Sequence, residues 1–235
     1  MNRFIIFVTI IVPLLIIVLY GEIELVAAGG KYSSDKEETY LPEPKLRGKM
    51  SVEEAIFKRR SIRDYSDKPL KLEDLSQILW AAQGITEPNK KFRAAPSAGA
   101  TYPLEIYVVV KEVEGLAPGV YRYIPLKHSL KLIKKGDYSY QLYRACLSQK
   151  WVLDAKANLV ITAVYERTTW IYGKRGVRYV HMEAGHVGQN IYLQATALGI
   201  GTVAVGAFYD EKVEKIVGSS PNERALYVFP LGYKK

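Results

Sequence analysis

The stretch Val177–Phe208, VRYVHMEAGHVGQNIYLQATALGIGTVAVGAF, decides how this chain folds. From Val177 to Leu198 it is rich in Ala, Leu and Gln, residues that lose little freedom in a helix, so one long helix is expected there. Gly199 supplies the stop. Thr202 to Phe208 then turns to β-branched residues and reads as a strand or strand-like loop. Three glycines between Leu198 and Phe208, Gly199, Gly201 and Gly206, imply a backbone that must come close to something. The pattern is not a G-x-G-x-x-G dinucleotide fingerprint, because that motif follows a strand and opens a helix, whereas this one follows a helix.

Working outward, helices and strands interleave. Ser51-Val-Glu-Glu54 is a capping box ahead of a short helix carrying Ala55, Ile56 and Phe57. Leu72 to Gln83 places Leu72, Leu75, Ile78, Leu79 and Ala82 at helical spacing, and Gly84 ends it. Glu105 to Lys111 and Leu159 to Tyr165 read as buried strands, Val120–Ile124 and Leu130–Ile133 as a hairpin pair. Asp137–Leu147 and Asp210–Val217 read as helices, and Leu226–Leu231 as a last strand. The class is α+β (mixed α/β), a central mixed sheet covered on both faces by helices.

Toward the start the character changes. From Phe4 to Gly21 no residue is charged, and the run is long enough as a helix to approach the hydrocarbon thickness of a bilayer. Arg3 precedes it and Glu22 and Glu24 follow, which keeps the N-terminus on the cytoplasmic side and sends the rest across. Residues 1–28 are therefore expected to be a membrane anchor, with residues 4–20 in the membrane, or a signal peptide cut near Val26-Ala27-Ala28 and exported. Residues 29–49, with Gly29-Gly30, Ser33-Ser34 and two prolines, read as a polar linker. Residues 50–235 form one domain, long enough for a sizeable core.

Composition narrows the partners. The 235 residues carry a net charge of +9, which favours phosphate, acidic substrates or anionic lipid. The basic residues are scattered with no run of five or six, so nucleic acid is not indicated. The single cysteine, Cys146, cannot form an internal disulfide and reads as a small core residue. His181 and His186 stand about 140° apart around a helix and do not share a face with Glu183, so no metal site is expected. No serine sits in a nucleophile-elbow setting and no paired carboxylates stand out, which leaves the chain poorly equipped for hydrolysis.

Two further segments can carry chemistry. Arg59-Arg60-Ser61-Ile62-Arg63 places three guanidiniums and a hydroxyl within five residues, which suits a phosphate; cations at a helix end also complement the macrodipole with no ligand at all. Ala95-Pro96-Ser97-Ala98-Gly99-Ala100-Thr101-Tyr102-Pro103 is stiff and nearly free of side-chain bulk, so a flat aromatic ligand could approach its backbone; it could equally be a tight connection before a strand. Anion-binding and ring-binding signals with few catalytic groups suit a cofactor that does the chemistry itself.

In order and spacing these three segments resemble the nitroreductase family of FMN proteins over roughly residues 50–235, nearest the branch that includes the azoline dehydrogenases of peptide biosynthesis. The resemblance implies an intertwined homodimer with FMN at the subunit boundary. It implies that Arg59, Arg60, Ser61 and Arg63 hold the phosphate, ribityl chain and pyrimidine edge, and that Pro96, Ser97, Ala98, Gly99 and Ala100 lie against the flavin of the partner subunit. Val205 and Gly206 match the place where backbone N–H groups face flavin N5, and Lys234 falls near a late basic residue at the phosphate. The azoline branch carries a Lys-Tyr pair at the position of Ile171-Tyr172; Tyr172 is retained as a possible acid/base and the lysine is not, which argues against azoline oxidation. The expected function is an FMN-dependent oxidoreductase passing electrons from NAD(P)H to a nitro compound, quinone or similar small-molecule electron acceptor, with no covalent protein catalyst. The alternative is a membrane-presented flavin-binding or interaction module without NAD(P)H turnover.

Overall fold

Two runs of apolar residues build the middle of the molecule, and each is buried on both faces along its whole length: LEIYVVV at Leu104–Val110 and ANLVITAV at Ala157–Val164. The computed structural model describes residues 38–235; the anchor or signal expected over residues 1–28, the membrane segment at 4–20 included, lies outside them. Among the described residues no helix is long and apolar enough to cross a membrane.

In chain order the elements are β1 (Glu38–Tyr40), α1 (Val52–Lys58), α2 (Leu72–Gln83), a small hairpin of β2 (Ile85–Glu87) and β3 (Phe92–Arg93), β4 (Leu104–Val110), β5 (Gly119–Ile124), β6 (Ser129–Lys135), α3 (Ser139–Ala145), α4 (Lys150–Asp154), β7 (Ala157–Val164), α5 (Glu166–Tyr172), α6 (Arg175–Ala197), β8 (Ile200–Gly201), α7 (Asp210–Val217) and β9 (Glu223–Tyr233). The main sheet runs β1-β6-β5-β4-β7-β9-β8.

Every strand pair in it is antiparallel, which corrects the expectation of a mixed sheet; the α+β class and the helical cover stand. The reason is where the helices deliver the chain. α3 and α4 return it so that β7 runs against β4, and α5 to α7 do the same for β9 against β7. A parallel bridge between Leu70 and Val113 lies outside the named strands.

Because side chains alternate across a strand, the two faces bury different sets. Ile106, Val108, Leu159 and Ile161 meet α2 and α6 through residues such as Leu75, Leu79, Val187 and Ile191. Tyr107, Val109 and Val160 meet α3 and α7 through Leu142, Val213 and Val217. Phe229 on β9 is 1% exposed and sets its ring edge-on to Tyr192 of α6, centroids 5.7 Å apart.

The linker expected over 29–49 is folded from residue 38 onward. β1 pairs with β6, Leu41 is buried in the core, and Gln77 holds the arm by accepting from Lys45 N at 2.8 Å. Three residues with a Glu and a Thr show no strand signal alone; the free edge of β6 makes them one. Replacing Phe229 with Ala should lower the unfolding free energy by about 3–5 kcal/mol, as for other large buried aromatics. Urea denaturation of the purified protein checks it, and a loss under about 1 kcal/mol would show that the α6–sheet contact is not close-packed.

Candidate functional site

The site is assembled around one hydroxyl. α1 begins at Ser51, whose Oγ accepts from Glu54 N at 3.1 Å, and ends as Arg59 N donates to Ala55 O at 2.9 Å. The chain then runs along α6. Ser61 Oγ lies 3.0 Å from the Tyr192 hydroxyl, and the same hydroxyl accepts from Ala204 N at 2.7 Å. The Arg59 guanidinium sits over the Tyr192 ring, 5.1 Å from its centroid. Tyr192 thus joins the first and third of the segments read from the sequence. Sequence reasoning passed over it, because a tyrosine inside an Ala- and Leu-rich helix reads as core.

Backbone contacts reinforce the junction. Ile62 N donates to Thr202 O at 2.9 Å, and Ser66 N to Tyr233 O at 2.9 Å. Tyr65 pairs with Lys234 in an antiparallel bridge, and Lys234 N donates to Gly199 O at 3.3 Å. Lys234 therefore lies beside the Arg59–Arg63 segment. The three glycines divide their work. Gly199 leaves α6 at φ +72°, and Gly201 makes room for Ile62, whose Cγ2 would be 2.7 Å from an added Cβ. Gly206 is exposed and open, with the Tyr227 ring 3.8 Å from where a Cβ would stand.

The expected roles shift in two places. Val205 and Val228 exchange N–H···O bonds of 2.8 and 2.9 Å, so the Val205 N–H is already committed and cannot face a ligand. The Gly206 N–H has no partner among the described residues, and successive N–H groups of an extended chain point to opposite sides. Arg60 donates from Nη1 to the carbonyls of Phe57 and Arg59, at 2.9 and 2.7 Å. It is the helix-end cation of this segment. Arg59 and Arg63 form no ion pair among the described residues; Arg63 rests over the Trp151 ring at 5.2 Å.

The Pro96–Ala100 loop is a separate body. Ser97 Oγ accepts from Tyr102 N at 2.9 Å, and Thr101 Oγ1 lies 2.8 Å from Thr168 Oγ1 on α5. Gly99 has φ +59°, and the Tyr172 hydroxyl would be 2.8 Å from any Cβ there. Ala100 and Tyr102 also hold positive φ, at 52° and 45°, a strain of about 1–3 kcal/mol each that ordinary connections avoid. Beneath the loop Glu183 of α6 is 2% exposed. Burial raises its carboxyl above the usual range, while Ser97, Gln83 and the Arg93 charge pull the other way. Its Oε1 and the neighbouring Gln83 Nε2 find no well-formed hydrogen bond.

Glu183 and Tyr192 are nine residues apart on α6, about 13 Å along its axis. The loop and the arginine segment are therefore not brought together within one chain. Tyr172 stays with the loop, its ring edge-on to Tyr179 at 5.1 Å. Cys146 is fully buried and its thiol is pushed up to about 12, that of an inert core residue. His128 is held by Ser76 Oγ at 2.7 Å and Tyr123 OH at 2.8 Å, a structural role. Among the described residues no three His, Cys, Asp or Glu gather to hold a metal. A groove of about 360 Å³ between the 45–52 arm, α2 and the end of α6 is not lined by Arg59, Ser61, Arg63, Glu183, Tyr192 or Gly206.

The arrangement offers two unpaired guanidiniums and a lysine for a phosphate, and one exposed backbone N–H for a ring acceptor. A flavin mononucleotide asks for both. Comparison with known proteins bears on the same region. Residues 56–233 match the family model described as the nitroreductase family. The protein MJ1384 of Methanocaldococcus jannaschii, assigned to the nitroreductases, is 48% identical over 200 residues, 85% of this chain and 98% of that one. The microcin B17-processing protein McbC of Escherichia coli is 28% identical over 159 residues, 65% of this chain and 58% of McbC. A crystal structure assigned as a nitroreductase from Ralstonia eutropha JMP134 superposes with a TM-score of 0.74 at 26% identity, covering 88% and 93% of the two chains.

An acid whose carboxyl is raised in the folded state adds stability while protonated, below its ordinary value of 4.5, and loses it as pH climbs through the folded value. Glu183→Gln should therefore gain stability relative to the parent as pH rises from that value toward neutrality. Thermal melts across this range test it. Parallel curves for the two proteins would mean the carboxyl is not held protonated by burial.

Proposed function

We propose, from the premise that this chain belongs to the nitroreductase family, that it is an FMN-dependent oxidoreductase taking electrons from NAD(P)H and delivering them to a nitro compound, quinone or similar small acceptor. The observation that carries this reading is the pairing of unneutralised Arg59 and Arg63 with the unpartnered Gly206 N–H, their two segments joined where Tyr192 meets Arg59, Ser61 and Ala204.

Arg59, Arg63 and Lys234 bind the cofactor phosphate, with Ser61 beside them for the ribityl chain. The Gly206 N–H would be the backbone donor available to the flavin ring. Bound FMN supplies the electron relay between NAD(P)H and the acceptor. The protein's share is to position the ring, keep its phosphate neutralised and leave one face open.

A second copy of the chain completes the site by laying its own Pro96–Ala100 loop against the flavin. Support comes from the separation of loop and arginine segment within one chain, and from exposed apolar residues that a partner would cover: Val52, Ile56 and Phe57 on α1, and Trp170, 90% exposed, on α5. Ile171 stands where the azoline branch carries a lysine, so Tyr172 lacks a cationic neighbour at that position and simple electron transfer is favoured over azoline oxidation.

The purified protein should be yellow, release FMN rather than FAD on heating, and lose its visible absorbance on anaerobic addition of NADH or NADPH. Flavin that no nicotinamide reduces would favour a flavin-binding module without turnover, and a colourless protein unable to take up FMN would overturn both. Arg59→Ala should weaken FMN binding by about 1.5–3 kcal/mol, ten- to a hundred-fold. Arg60→Ala should weaken it less, because Nη1 of that side chain is engaged by helix-end carbonyls. Equal losses in a flavin titration would remove the distinction drawn between them.

A further inference from the structure

On the sheet face away from α2 and α6, α3 and α7 lie side by side over Val109, Val160 and Val228. Between them and the end of β6 is a groove of about 420 Å³. Lys134, Arg144, Lys212 and Lys215 line it with Tyr138 and Tyr140, and no carboxylate is among the lining residues. Of the acids nearest in sequence, Glu211 is exposed on α7 one turn before Lys215 and forms no ion pair among the described residues, and two others are turned to other work. Asp137 accepts from Ser139 N, and Glu214 accepts from Ala225 N and approaches Arg224.

Two of the four cations have local tasks. Lys134 Nζ donates to the carbonyls of Lys215 and Ile216 at the end of α7, and Lys212 covers the Tyr209 ring at 4.2 Å. Arg144 and Lys215 are exposed and form no ion pair among the described residues. Each stands in the last turn of its own helix, where a cation complements the dipole. That accounts for each alone. It does not account for their meeting at one concavity beside tyrosine rings. Burial, and after it the Lys215 charge, hold Lys134 below its ordinary value. Tyr140 is 59% exposed, and the Lys134 cation lies 5.7 Å from the Tyr138 ring centroid.

We propose that the α3–α7 groove binds a phosphorylated planar ring of the nucleotide kind, its phosphates on Arg144 and Lys215 and its ring against Tyr140. Paired cations suit phosphate oxygens, and an open aromatic face suits a base without demanding its identity. The groove lies on the opposite sheet face from the Tyr192 junction, so the proposal is independent of the flavin reading.

ADP is the probe, titrated calorimetrically into the flavin-loaded protein, with pyrophosphate and adenosine as part-ligands. ADP should bind more tightly than pyrophosphate, adenosine should not bind detectably, and affinity should fall with added salt. The charge-reversed double variant Arg144→Glu/Lys215→Glu should lose at least about tenfold in ADP affinity, as expected for losing charge-assisted contacts. Tyr140→Ala should weaken ADP but not pyrophosphate, and Arg59→Ala should change neither. Thermal melts confirm that the variants stay folded. The proposal is overturned if ADP fails to bind at millimolar concentration, if the charge reversal leaves its binding intact, or if Arg59→Ala abolishes it. It is also overturned if phosphatidylglycerol vesicles bind through Arg144 and Lys215 while ADP does not, which would make the groove a lipid-headgroup contact.

Discussion

The Tyr192 hydroxyl is the contact on which the candidate site depends. It meets the Ser61 hydroxyl at 3.0 Å and accepts the Ala204 N–H at 2.7 Å, tying a loop near residue 60 to the chain beyond α6. Backbone bonds such as Ile62 N to Thr202 O also hold the arginine segment, and the Tyr192 hydroxyl is the side-chain contact that joins Ser61 to Ala204, two residues before Gly206. Its own position is fixed from below, where Phe229 sets it edge-on to the sheet. The apolar core thus reaches the polar site through the Tyr192 ring.

The second constraint is distance. α6 carries both Tyr192 and Glu183, and nine residues of helix hold their neighbourhoods about 13 Å apart. A rigid helix cannot shorten that gap, which is the reason the proposed site draws on the loop of a second copy. This is why strained backbone at Gly99, Ala100 and Tyr102 is informative. Strain is retained where surrounding contacts over-determine it, here Thr168, Tyr172 and Glu183, and it presents a nearly bare backbone outward.

How much of this was legible in the sequence follows from which forces are local. α2 was readable to the residue because its apolar positions keep helical spacing up to Gly84, and α7 because its first turn is acidic and Gly218 closes it at φ +69°. α5 went unread: Glu166–Tyr172 carries two threonines and a tryptophan, poor helix formers without a side-chain cap, and its helix rests on packing against α6. β1 went unread because its strand character belongs to the edge of β6. The antiparallel sheet was missed because alternating elements do not state which end of the sheet each helix returns to.

The site divided in the same way. The arginine and Gly206 segments were visible as composition, since they need unusual residues close together. Arg60's commitment to carbonyls and Val205's to Val228 were not, because the side of the chain a donor faces depends on partners far away in sequence. Glu183 entered the sequence reading only as a residue that shares no face with His181 and His186, and its burial comes from α2 and the loop closing over it. The central claim is that one ligand spans the Tyr192 junction and a second copy's loop. A crystal structure of the protein grown with FMN tests it most directly. The account predicts the phosphate on Arg59 and Arg63, the Gly206 N–H within hydrogen-bond reach of the flavin ring, and the Pro96–Ala100 loop of a second chain against that ring. Flavin seated elsewhere, or a site complete within one chain, would contradict it.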